Sequence, residues 1–308
     1  MRVDVHAHHY PQEYVSLRAG FGGDVGAAHQ APGAGVTLDQ RLELMDRIGI
    51  RVQVLSIGAQ HPYFADRSQA IQAAKLANDA YADIRHRYGG RYEAFAAVPL
   101  PHVDAALAEA ERALDTLGMV GVNLGCSIAG QALDDRAFDP FFAELNRRKT
   151  VVFLHPIGMG CGPLVEQLGL NFPAGAPFED TVAALRLAMT GLTVRHPDVR
   201  FIVPHLGGTL PFLVQRFDDS LASRGQDKPA EQFKRMWFDT CNNHIPSLRC
   251  SRDTFGASQL VLGTDFPHVA GERFDRCVSY IEDSDLPPDE KTAILDRNAQ
   301  ALLGLRDR

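Results

Sequence analysis

Eight short runs rich in aliphatic and β-branched residues recur along the 308-residue chain, separated by stretches with helical spacing. They read VDVHAH (3–8), VQVLSI (52–57), YEAFAAV (92–98), MVGVNLG (119–125), VVFLH (151–155), RFIVPH (200–205), MWFDT (236–240) and QLVLGTD (259–265). Apolar strands alternating with amphipathic helices indicate a parallel sheet covered by helices. Eight βα repeats predict an α/β chain folded as a (β/α)8 TIM barrel, since an open doubly wound sheet more often carries about five or six strands. Helix boundaries are marked by Thr37 and Asp66 as N-caps and by Gly49, Gly118 and Gly191 as stops. No Pro-, Gly- or Ser-rich linker divides the chain, so residues 1–308 are expected to form a single domain. The connections after strands one (18–36) and five (156–177) look enlarged. Both leave strand C-termini, the end at which a barrel builds its active site.

A net charge of -7, with no basic excess, argues against nucleic acid or an anionic membrane surface as partner. No apolar run approaches the roughly 18 residues of a membrane span, and Met1–Arg2 leads directly into a strand without a signal-peptide core. A cytoplasmic protein acting on a small molecule is expected. Cys126, Cys161, Cys241, Cys250 and Cys277 contain no C-x-x-C pair, so neither a disulfide framework nor a thiolate zinc site is indicated. Cys161 and Cys241 lie near the expected barrel mouth and read as packing residues.

Polar residues are out of character in buried strands, yet several stand at strand C-termini. Strand one ends in His6 and His8, strand five in His155, strand six in His205 and strand eight in Asp265. In a barrel these ends converge on one mouth. Residues i and i+2 of a strand share a face, so His6 and His8 can grip one cation while His9 points away. With His155 and Asp265 they make three nitrogens and one oxygen, a set suited to one divalent metal, zinc by preference. His205 precedes two glycines in VPHLGGTLPF and reads as an acid/base or polarising group rather than a further ligand.

These same stretches, VDVHAHHYP, VVFLHP, PDVRFIVPHLGGTLPFLVQRFD and LVLGTDFPH, resemble the amidohydrolase superfamily. The similarity is to the branch containing aminocarboxymuconate semialdehyde decarboxylase, especially the 6-methylsalicylate and resorcylate-type decarboxylases. The resemblance implies that His6, His8, His155 and Asp265 hold one divalent metal, zinc or in some members manganese, and that His205 is the catalytic histidine. It also implies a mononuclear site, because strand four, MVGVNLGC, lacks the lysine that carries a second metal in the hydrolases. A homodimer or higher homo-oligomer is expected, and Arg216 matches an arginine that is structural or interfacial in this branch.

One metal beside a histidine serves two chemistries. It activates water against a lactone, ester or amide carbonyl, or it grips a carboxylate and its neighbouring oxygen for decarboxylation. The second, with an aromatic or muconate-like carboxylate as substrate, Asp265 as proton donor and His205 as polarising group, is preferred on the resemblance; the hydrolase is the alternative. A non-catalytic barrel with structural histidines explains less, since core histidines have no reason to gather at strand ends. Arg18, His61 and Asn242 are candidate substrate contacts, as are His29 and Arg67. Phe266 is favoured over Phe172 as an aromatic wall because Asp265 fixes its position.

Overall fold

In the computed structural model, which describes residues 1–158, 162–223 and 229–306, eight parallel strands form one sheet in sequence order. They are β1 (Val3–His8), β2 (Val52–Ser56), β3 (Tyr92–Ala96), β4 (Gly121–Gly125), β5 (Val151–His155), β6 (Arg200–Val203), β7 (Trp237–Asp239) and β8 (Leu260–Val261). The sheet curls until its ends meet. Val5 N donates to Leu262 O (2.9 Å), Asp265 N to His6 O (2.7 Å) and His8 N to Phe266 O (2.6 Å), joining the segment after β8 to β1. The result is the expected (β/α)8 TIM barrel.

The helical boundaries follow local chemistry. Thr37 accepts from Gln40 N while the Gln40 side chain accepts from Thr37 N, a capping box that opens Leu38–Arg47. Asp66 accepts from Gln69 N at the start of Arg67–Arg87. The expected stops Gly49, Gly118 and Gly191 have φ of 75°, 67° and 72°, the left-handed conformation that ends helices.

Three features differ from the sequence reading. First, β8 contains only Leu260–Val261; the segment after it still bonds to β1 through Leu262 O and Thr264 N, and Asp265, with φ 61°, turns the chain there. Second, β1 is bulged: Asp4 pairs with Gln53 and Ala7 with Leu55, so Val5 and His6 together face Val54. Bulges re-aim side chains near active sites. Here Val5 joins an apolar cluster with Val3, Phe95, Phe153, Ile202 and Val261, while His6 lies against Phe153 at a ring-centroid distance of 4.9 Å. Each large member of that cluster contributes roughly 1.5–3 kcal/mol by burial and closes the barrel beneath its polar mouth. Third, the long connections carry helix. Gln12–Gly20 extends into the first, and Pro163–Glu166 lies in the second, where Ala176–Met189 also begins.

Buried polarity also extends beyond the strand ends. Asp4 accepts from Gln53 Nε2 (2.8 Å), Thr264 Oγ1 (2.7 Å), Thr264 N (3.0 Å) and His6 N (3.1 Å), tying β1 to β2 and to the segment after β8. Burial pushes its carboxyl up to about 6. Arg41, buried beside this network, donates to His8 O (2.9 Å).

Candidate functional site

The ends of β1 and β5 and the turn after β8 bring His6, His8, His155 and Asp265 together, with one potential ligand atom from each lying within 4.8 Å of all the others. His8 Nε2 lies 3.0 Å from Asp265 Oδ1. His6 Nε2 stands 3.3 Å from the same oxygen, within ion-pair range but without a hydrogen-bond partner despite complete burial.

The opposite ring nitrogens are all engaged. His6 Nδ1 contacts Asp239 Oδ2 (2.8 Å), His8 Nδ1 contacts Ser56 Oγ (2.8 Å), and His155 Nδ1 contacts the Pro156 carbonyl (2.7 Å). A carboxylate or carbonyl on Nδ1 fixes the proton there and leaves Nε2 as a lone pair, the arrangement that orients metal-binding histidines. Burial pushes His8 down to about 3, and burial with its imidazole neighbours holds His155 well below the usual histidine range. Burial lowers His6 too, but the Asp239 and Asp265 carboxylates outweigh it and hold His6 well above the usual histidine range, so its Nε2 becomes a donor only when a cation takes the place of its proton. Two neutral imidazoles, the orphaned His6 nitrogen and a carboxylate are then the donor set a divalent cation requires. These four residues could hold such an ion.

His205 borders the same position, its ring centroid 5.3 Å from that of His6. Its Nδ1 meets Asp180 Oδ2 at 2.8 Å. Burial depresses its basicity, but the buried Asp180 carboxylate outweighs this and raises it overall. His205, Leu206 and Asp265 have φ of 54°, 57° and 61°, a concentration of left-handed non-glycine backbone at one site.

Above these groups opens a cavity of about 820 Å³, lined in part by Arg18, Gln60, His155, Phe172, His205 and Asp265. Of the polar candidate substrate contacts Arg18, His29, His61, Arg67 and Asn242, Arg18 and Asn242 line it. The Arg18 guanidinium sits over the Phe64 ring and donates to the carbonyls of Asp24 (2.8 Å) and His61 (2.5 Å).

Phe266 does not line the cavity. It is fully buried, stacked under Arg41 (4.3 Å) and edge-on to Phe274, because the left-handed backbone at Asp265 directs the next residue into the core. Phe172, ranked below it, supplies the aromatic surface instead. His61 is likewise outside the lining: it is buried and stacked on Tyr63 (4.7 Å). Arg67 pairs with exposed Asp104, while His29 and Arg216 are exposed away from the lining. His9 turns from the cluster, and burial pushes it down to about 3. Cys241 borders the cavity and groups with His6 and His205, its thiol held well above the usual range by burial. Cys161 lies outside the described residues.

Two acids were missed by the sequence reading. Asp239 ends β7 and shows the same signal as His155, a polar residue at an apolar strand's C-terminus. Besides contacting His6, it accepts from His205 N (3.1 Å) and Cys241 N (2.9 Å), linking both halves of the site. Asp180 lies on helix Ala176–Met189, where an acidic residue carries no comparable signal.

An amidohydrolase family model matches residues 3–305. Gamma-resorcylate decarboxylase of Rhizobium radiobacter is 31% identical over 295 residues, covering 88% of this chain and 88% of that protein. The 6-methylsalicylic acid decarboxylase of Penicillium expansum is 28% identical over 308 residues, covering 95% and 93% respectively. A dihydroxybenzoic acid decarboxylase from Polaromonas, solved with manganese and the inhibitor 2-nitroresorcinol, shares the fold with a TM-score of 0.85 at 24% identity, covering 100% of this chain and 98% of its own. The chain belongs to the amidohydrolase family, in the branch that includes the resorcylate and 6-methylsalicylate decarboxylases.

Proposed function

We propose that this protein is a metal-dependent, non-oxidative decarboxylase of an aromatic carboxylate bearing a hydroxyl ortho to the carboxyl group. The observation that carries the reading is the open cavity above a three-histidine, one-aspartate cluster with the His205–Asp180 pair at its edge. The relatives' activities supply the reaction class.

His6, His8, His155 and Asp265 would hold the ion, with zinc preferred on the donor set and manganese present in the Polaromonas protein. When bound, it would supply Lewis acidity toward the substrate's carboxylate and adjacent hydroxyl. Asp265 serves as ligand in the ionised form, so the proton it delivers must first be collected. The substrate's ortho hydroxyl is a source of the right reach. Asp265 then passes this proton to the ring carbon that bears the carboxylate. The C–C bond breaks, its electron pair restores the aromatic ring, and carbon dioxide leaves. His205, oriented through Nδ1 by Asp180, presents Nε2 to polarise the substrate. Arg18 and Asn242 at the cavity wall contact its polar groups, and Phe172 covers the ring.

We further propose that residues 1–308 form one catalytic domain acting in the cytoplasm, and that it assembles as a homodimer or larger homo-oligomer. No described helix is long and apolar enough to cross a membrane. Phe178, Val182 and Met189 form an exposed apolar stripe on Ala176–Met189, which supports assembly and is checked by light scattering.

A product assay separates the decarboxylase from the hydrolase. Carbon dioxide release from hydroxybenzoates, with lactones and amides left intact, is expected; the reverse pattern refutes the decarboxylase. Asp265→Asn is expected to fold and lose turnover, and an active Asp265→Asn enzyme refutes the proton-donor role.

A further inference from the structure

The histidine that closes the stretch LVLGTDFPH is not a ligand of the metal cluster, yet it stands beside it. His268 borders the cavity with its ring centroid 5.6 Å from that of His8, as His205 stands 5.3 Å from His6. Backbone hydrogen bonds hold it from both sides: Val269 N donates to Asp265 O (3.0 Å) and Gly33 N to Pro267 O (2.9 Å). Tyr10 orients the ring. Its hydroxyl, beside Gly58 and outside the cavity lining, lies 2.9 Å from His268 Nε2. Among the described residues this hydroxyl has no other acceptor, so it donates to Nε2, and a ring that accepts there carries its proton on Nδ1. Nδ1 lies on the other side of the ring. It has no partner among the described residues and, unlike the sealed nitrogens of His61, is open to solvent. Because the ring borders the cavity and Tyr10 does not, the N–H turned away from Tyr10 faces that space.

We propose that His268 is a further substrate-contacting residue, whose Nδ1–H donates a hydrogen bond to the outer oxygen of the substrate's carboxylate. A fixed donor with no accepting function calls for an acceptor, and a carboxylate gripped by the ion through one oxygen keeps its second oxygen for this contact. The ortho hydroxyl is already committed to the ion and to Asp265. Hydrogen bonds to an ionised acceptor are about twice as strong as neutral ones. The contact lasts only while the carboxylate does, since carbon dioxide is a poor acceptor, so it strengthens binding and not the bond-breaking step. The inference rests on the aromatic-carboxylate reading for the substrate, while the Tyr10–His268 tautomer is independent of that reading.

The test compares metal-loaded wild type, His268→Phe, His268→Asn and Tyr10→Phe. Calorimetric binding uses benzoate, which lacks the ortho hydroxyl that the proposed reaction needs, and catechol, which lacks the carboxylate. His268→Phe should weaken benzoate by about 10-fold or more and catechol by less than about threefold. His268→Asn, whose amide nitrogen can stand where Nδ1 stands, should bind benzoate within about threefold of wild type. Tyr10→Phe releases the tautomer and should fall between the two. For a hydroxybenzoate that is decarboxylated, His268→Phe should raise KM by about 10-fold or more without lowering kcat more than about threefold. ¹⁵N NMR of the histidine rings should show the His268 proton on Nδ1 in wild type.

Equal losses for benzoate and catechol in His268→Phe, or none for either, overturn the inference. So do a kcat that falls in step with kcat/KM, a wild-type proton on His268 Nε2, or failure of benzoate to bind wild type. A fall in metal content or melting temperature shared by His268→Phe and His268→Asn assigns His268 to structure and overturns it as well. If no acid is decarboxylated yet benzoate binding depends on His268, the decarboxylase reading fails and the carboxylate contact stands. Decarboxylation with benzoate binding indifferent to His268 has the opposite meaning.

Discussion

Asp239→Asn probes the metal centre from one residue beyond the ligands. Asp239 Oδ2 contacts His6 Nδ1 at 2.8 Å, while Oδ1 accepts from His205 N at 3.1 Å and Cys241 N at 2.9 Å. Asparagine has one acceptor oxygen for these three positions. Turning its NH2 toward the two backbone donors would orphan both, at about 1–3 kcal/mol each, so the oxygen stays there and the NH2 faces His6. Nδ1 must then accept, and the ring proton moves to Nε2, the nitrogen aimed at the cluster. Loss of an outer partner typically costs about 10–100-fold in metal affinity. Because the wrong tautomer removes a ligand rather than merely loosening one, the upper end applies: about 100-fold, or roughly 2.7 kcal/mol. The assay is competition for zinc and manganese against a chromophoric chelator, with the melting temperature of metal-free protein as control. Metal affinity within about threefold of wild type, in a variant that melts normally, would refute the tautomer argument.

Three further outcomes are expected. Asp180→Asn removes the carboxylate 2.8 Å from His205 Nδ1 and should lower kcat by about 10²–10⁴-fold, read in steady-state kinetics with metal content unchanged; an unaltered kcat removes His205 from acid–base or polarising work. Gly263→Ala would place a Cβ 2.8 Å from the Asp239 Cβ and 2.9 Å from the His6 Cβ, so chemical denaturation should show a loss of about 1–3 kcal/mol together with weaker metal binding. Arg147, with Arg148, holds the Glu144 carboxyl down to about 2. Since a depressed carboxylate stabilises the fold above its unfolded value near 4.5 and ceases to do so as pH falls through about 2, Glu144→Gln should cost roughly 0.5–1 kcal/mol at pH 7 and progressively less across that window.

The fold and the inner cluster were legible because buried parallel strands tolerate few polar residues. His6, His8, His155 and Asp265 therefore stood out against valine, leucine and phenylalanine. The same rule applied to β7 would have found Asp239. It would also have picked out Asp4 and Gln53, which are buried for structural reasons, so the rule marks unusual burial and not chemistry alone. The bulge at Val5–His6 is set by pairing with β2 and leaves no local mark. Phe266 was misread because strand alternation was carried past Asp265, whose left-handed φ breaks it. Asp180 and His268 were silent for a common reason: one lies on an amphipathic helix and the other on a loop, where polar side chains are ordinary. Only the tertiary structure shows the first against His205 and the second held by Tyr10.

The central claim is that Asp265 protonates the ring carbon from which carbon dioxide departs. Turnover of a carboxyl-¹³C-labelled hydroxybenzoate by metal-loaded protein in D₂O tests it directly, with product deuteration and labelled gas followed together. One ¹³CO₂ per acid consumed and one deuterium at the vacated ring carbon are predicted, with both lost in Asp265→Asn. Hydrolysis of a lactone or amide without labelled gas, or undiminished ring deuteration in Asp265→Asn, would contradict the account.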